Sequence, residues 1–117
     1  MAMRPTDFAG AMPIDGYGPG FLRVGGVVYQ GAVIVTEGEV RPWGGMEDSA
    51  ALLALAPGTD LLLIGTGSQM MHAPEALLDA LDAVGIRADA MSSPTAARSY
   101  NVLLSEGRRV AAALLPT

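Results

Sequence analysis

Half of this 117-residue chain is apolar and only 16% is charged, which excludes a disordered polymer and requires a buried core. The absence of cysteine rules out disulfides, thiolate metal sites and thiol nucleophiles. The net charge is −5 and all seven basic residues are scattered arginines, so no basic face serves nucleic acid or an anionic membrane.

Residues 1–19 hold Pro5, Pro13, Pro19 and several glycines without periodicity, and 1–15 reads as an irregular lead-in. No repeat or linker follows, so one domain over 1–117 is expected. Phe21–Val24 and Val27–Gln30 are two β-prone runs around Gly25-Gly26, the signature of a hairpin. Gly31 permits a bend, and Ala32–Val35 reads as a buried strand. Glu37–Gly45 reads as a polar loop anchored by Trp43.

Asp48 is placed to cap a short helix running to Leu55, which Pro57-Gly58 stops. Leu61–Ile64 is a continuous apolar run between turn signals, as in a strand buried on both faces. A helix then starts at Pro74 and Glu75, carries Leu77, Leu78, Leu81 and Val84 on one stripe, and ends at Gly85. Ile86–Ala90 alternates like a strand. Ser93, with Pro94 behind it, predicts a helix cap; Ala96, Ala97, Tyr100, Leu103 and Leu104 form its apolar face, and Gly107 its end. Val110–Leu115 closes the series as a buried strand. Strand, helix, strand, helix, strand with short connections is the βαβ pattern, giving a three-layer α/β domain with an N-terminal β-hairpin.

Strands 61–64 and 86–90 are expected to end at a shared carboxyl edge, where open α/β sheets bind ligands. Gly65, Thr66, Gly67 and Ser68 meet Ser93 there, and backbone N–H groups beside small residues can cradle an anion. Neither a complete dinucleotide fingerprint nor a P-loop is present, so a tight turn is the simpler reading of the glycines, as capping is of Ser93. Arg98 and Asn101 share a helix face. Either they reach the same anion, or they clamp the helix to the 65–69 loop or to the lead-in. Tyr100 reads as core with a satisfied hydroxyl. His72, the only histidine, makes no metal site alone, and Met70 and Met71 read as core filling sooner than contact surface. No catalytic set, metal site or cofactor motif stands out.

Several stretches together carry a resemblance: Gly16-Tyr17-Gly18-Pro19-Gly20-Phe21, Tyr29-Gln30-Gly31, Trp43, Leu62–Gly67, and Arg98-Ser99-Tyr100-Asn101-Val102-Leu103-Leu104 with Glu106-Gly107-Arg108. From Ile14 to Leu115 the chain resembles the family of small proteins of unknown function that includes the mitochondrial complex I assembly factor 3. The resemblance implies a mixed central sheet and no established enzymatic activity. Relatives often carry Met-Asp-Thr where Met91-Ser92-Ser93 stands, and often cysteine at Ala97, so chemistry needing that acid or thiol is not expected here.

The leading expectation is therefore a non-catalytic interaction or assembly factor for a larger respiratory or membrane complex, with protein partners. The alternative is a binding protein or enzyme for a small anionic ligand held at the carboxyl edge of the sheet by Gly65, Thr66, Gly67, Ser68, Ser93, Arg98 and Asn101. The longest apolar runs fall well short of the ~20 residues of a membrane span, and the N-terminus lacks the apolar stretch of a signal peptide. No membrane insertion and a cytoplasmic location are expected. A homo-oligomer is left open.

Overall fold

The computed structural model describes residues 13–117. A three-stranded antiparallel sheet comes first: β1 (Ile14–Gly18), β2 (Phe21–Val24) and β3 (Val27–Gln30). Gly25 and Gly26 take φ of +57° and +83°, the left-handed pair that a two-residue turn between twisted strands requires. The sequence places an irregular segment where β1 forms. The remainder of that lead-in, residues 1–12, lies outside the described residues. β1 is hard to see because Gly16 and Gly18 weaken its β signal and its pairing carries a bulge between Ile14 and Gly16.

A mixed five-stranded sheet follows, with strands β4 (Val33–Val35), β5 (Val40–Pro42), β6 (Leu61–Gly65), β7 (Arg87–Met91) and β8 (Val110–Leu114), in the order β5-β4-β8-β6-β7. β6 runs parallel to both β7 and β8, while β4 is antiparallel to β5 and to β8. β5 lies inside the segment expected as loop. It is three residues long, and one of them is Pro42, so local propensity hides it.

The helices are α1 (Ser49–Leu53), α2 (Glu75–Ala83) and α3 (Ser93–Ser105). Asp48 caps α1 through the Ala51 N–H at 3.4 Å, and a 3-10 turn at Ala56–Gly58 follows. Alternation along the sheet divides the core. Val33, Val35, Leu63, Val110, Ala112 and Leu114 pack against α3 and the small sheet through Ala96, Ala97, Tyr100, Leu22 and Val24. Ile34, Leu62, Ile64, Ala111 and Ala113 pack on the other side against Trp43, Leu52, Leu77 and Leu81. The central sheet is thus covered on both faces, which explains the continuous apolar runs of β6 and β8.

Two details depart from the expected stripes. Val84 is 45% exposed, because α2 ends at Ala83 and Val84 already leaves the helical path. Tyr100 is fully buried, but its hydroxyl has no hydrogen-bond partner among the described residues. Burial, with a smaller contribution from the Glu37 charge, pushes its phenol well above the ordinary range. Deleting a buried, unpartnered hydroxyl removes a desolvation cost, so Tyr100→Phe is expected to be neutral or stabilising by about 1 kcal/mol. In the unfolded chain the phenol ionises near pH ~10, while the folded one stays protonated, so the wild type loses stability as pH rises above that value. Denaturation at pH 8 and pH 11 should show the variant losing less stability than the wild type. A variant less stable at both would mean that the hydroxyl has a partner.

Candidate functional site

The carboxyl ends of β6, β7 and β8 open on one edge, so the expected convergence of the glycine turn and the start of α3 is found. The chain leaves β6 to reach β7 through α2, then crosses to β8 through α3 on the opposite face, the arrangement that opens a crevice in α/β sheets. Here the crevice is closed by its own polar groups. The Gly67 N–H donates to Ser93 Oγ at 2.9 Å, and the Ser93 N–H returns a bond to the Gly67 carbonyl at 2.7 Å. Ser93 Oγ in turn donates to the Leu115 carbonyl at 2.6 Å, and the Leu115 N–H donates to the Gly65 carbonyl at 2.9 Å.

Ser93 is therefore not the helix cap expected of it. Ser92, in an extended conformation, takes the cap position, and Ser93 sits inside the first turn with 2% of its surface exposed. Gly65 is close-packed against it: a Cβ there would meet Ser93 Cα at 2.9 Å and Leu114 Cδ2 at 2.6 Å. Gly67 has φ +100°, which its turn toward Ser93 requires. Thr66 is buried and knots the following loop. Its N–H donates to the Met91 carbonyl at 2.8 Å, and its hydroxyl accepts from the Met71 N–H at 3.0 Å. The single hydroxyl proton faces the carbonyls of Gln69 at 2.7 Å and Met91 at 3.0 Å. Ser68 is exposed beside this knot.

The loop so fixed holds Met70 and Met71 outward, 52% and 64% exposed. They do not fill the core as expected, because Thr66 turns the chain away from it. His72 is exposed with them, and no three His, Asp or Glu side chains gather as a metal site among the described residues.

Arg98 and Asn101 both turn to β1. The Asn101 amide accepts from the Ile14 N–H at 2.8 Å and donates to the Ile14 carbonyl at 2.7 Å, so it completes the backbone pairing at the start of β1. Arg98 donates to Tyr17 Oη at 3.2 Å and Thr95 Oγ1 at 3.3 Å, and no carboxylate pairs with it among the described residues. It borders an open depression of about 360 Å³ with Ser99, Val102 and Leu103. Asn101→Ala is expected to lower stability by about 2 kcal/mol through the two lost bonds. Hydrogen exchange should show the Ile14 amide opening faster. An unchanged melting temperature and Ile14 exchange would show that the clamp carries nothing.

The roles of Leu115 and Ile14 are missed in the sequence because each contributes only backbone groups to partners far along the chain. Leu115 pairs with Ser93, 22 residues away, and Ile14 with Asn101, 87 away.

Comparison with known proteins agrees with the fold. The pattern of a protein family described as "protein of unknown function (DUF498/DUF598)" matches residues 14–115. An uncharacterised Rhodobacter capsulatus protein is 55% identical over 99% of this chain and 94% of its own length. Human NADH dehydrogenase [ubiquinone] 1 alpha subcomplex assembly factor 3 is 30% identical over 99% of this chain, which spans 67% of that protein. The crystal structure of an outer membrane protein from Bartonella henselae superposes with a TM-score of 0.82 at 34% identity, covering 94% of this chain and 98% of that one.

Proposed function

Because the chain belongs to this family of proteins of unknown function, we propose that it is a non-catalytic interaction or assembly factor for a larger respiratory or membrane complex. The observation that carries the reading is the closed network at the sheet's carboxyl edge. The groups best placed to hold a substrate are committed elsewhere: Gly67 and Ser93 to one another and to Leu115, and Thr66 to Gln69, Met71 and Met91. An assembly factor aligned with 99% of this chain adds weight, as similarity and not as identity. Of the groups expected to hold a small anion at this edge, Thr66, Gly67, Ser93 and Asn101 already have partners within the chain.

No helix among the described residues is long and apolar enough to cross a membrane. In this reading the protein acts as one domain from the cytoplasm and meets its client through protein contacts. Affinity capture from membranes in gentle detergent is expected to recover subunits of one membrane complex. Recovery of the bare protein under every growth condition would overturn the reading. Thermal-shift titration with phosphate, nucleotides and carboxylates is expected to be flat. A ligand at 100 times its Kd would add about 2.7 kcal/mol of stability and restore the anion site.

A further inference from the structure

Among the described residues four strand edges border the two sheets, and three are defended. β5 presents Arg41 and Pro42, and β7 presents exposed Arg87 and Asp89, charges and a proline that discourage added strands. β1 carries its bulge, and Asn101 occupies the backbone of Ile14. Among the described residues β3 has none of these devices. It pairs with β2 through four consecutive residues without a bulge, and it holds no charge and no proline. Val27 and Val28 are 54% and 55% exposed, on opposite faces of the strand.

The turn fixes which groups are free. Val24 and Val27 flank a two-residue turn and exchange bonds, so Val28 and Gln30 aim their N–H and C=O groups away from β2. On the outer face Val28 lies opposite Arg23, whose charge is already paired with Asp15 at 2.9 Å.

We infer that the free edge of β3 is a docking site for an extended segment of a partner protein, apolar at alternate residues and basic between them, which adds as a fourth strand. This rests on the interaction reading above and names its surface. A second copy fits poorly. Two chains of net charge −5 repel, whereas a basic segment is attracted. An edge of four residues, about 13 Å long, also offers only a narrow strip to a second copy, whereas a stable interface buries roughly 1,200 Å² or more. A short edge suits a client that is held and then released.

The test uses the whole protein and a synthetic peptide with valine at alternate positions and lysine and threonine between. Amide signals of Val28 and Gln30 are expected to shift on titration, and exchange of the Val28 N–H to slow. Val28→Pro deletes an outward donor and spares the β2 ladder, so it should weaken binding at least tenfold. Methylating the peptide's facing amide nitrogens should do the same with the protein unaltered, which guards against a misfolded variant. Replacing lysine by glutamate in the peptide should also weaken it. Shifts away from β3, equal binding by Val28→Pro and by the methylated peptide, equal binding of the glutamate peptide, or self-association through β3 seen by sedimentation would each overturn the inference. Membrane capture separates the two ideas. A client retained by Val28→Pro removes the edge and keeps the assembly reading; an empty wild-type capture beside a bound peptide does the reverse.

Discussion

Leu81→Asp is expected to leave the chain unfolded at room temperature, seen as loss of the cooperative melt in circular dichroism. Leu81 is fully buried in the core cluster that also holds Leu52, Ile64, Leu77 and Ile86, on the face of the central sheet that α2 covers. Removing the leucine forfeits roughly 1.5–3 kcal/mol of burial. The carboxylate then costs several kcal/mol more, whether it stays charged without a partner or takes up a proton. The sum approaches the 5–15 kcal/mol by which domains of this size are typically stable. Asp82, exposed on the opposite side of the same helix, is the control, and Asp82→Asn should melt within about 0.5 kcal/mol of the wild type. A cooperative Leu81→Asp melt at the wild-type temperature would contradict the packing of α2.

Gly65→Ala should be the second most damaging single change, although it adds one methyl group. The new Cβ would stand 2.7 Å from Ser93 Oγ and 2.9 Å from Ser93 Cα, and the latter is backbone that no rotamer change can move. Overpacking alone costs about 1–3 kcal/mol. Displacing Ser93 also breaks its bonds to Gly67 and Leu115, at about 1–3 kcal/mol for a buried group left unpaired. A loss of about 4 kcal/mol is expected, or a melting temperature lower by more than ~10 °C. Gly58→Ala, with nothing within 4 Å of the added carbon, is expected to be close to neutral. Equal melting of the two variants would show that the edge is loosely packed.

These two residues differ in how far the sequence discloses them. Leu81 belongs to a stripe at helical spacing with a proline before it and a glycine after it, so its burial follows from local pattern. The strands β6 and β8 are equally legible, because a sheet covered on both faces demands unbroken apolar runs. Gly65 is visible as a turn residue, but its reason is not: the contact that forbids a side chain comes from Ser93, 28 positions later. The same holds for Ser93, whose place before Pro94 suggests a cap until Leu115 is brought beside it. β1 and β5 are invisible for a related cause. β1 carries two glycines and β5 is three residues long with a proline, and each is stabilised by a strand that pairs with it across a turn. For Arg98 and Asn101 the sequence leaves ligand and clamp equally open. The bonds to Tyr17 and Ile14 favour the clamp.

The order of the central sheet also has a consequence for how the molecule is made. β8 is last in sequence yet stands between β4 and β6. On the ribosome, the β4–β5 hairpin and the β6–β7 pair must each wait, with a raw interior border, until residues 110–114 emerge. Such late, long-range closure slows maturation and leaves sticky borders open to neighbours. A nascent chain halted before Val110 is therefore a natural substrate for chaperones and proteases, and the last strand to appear is the one that ends that exposure.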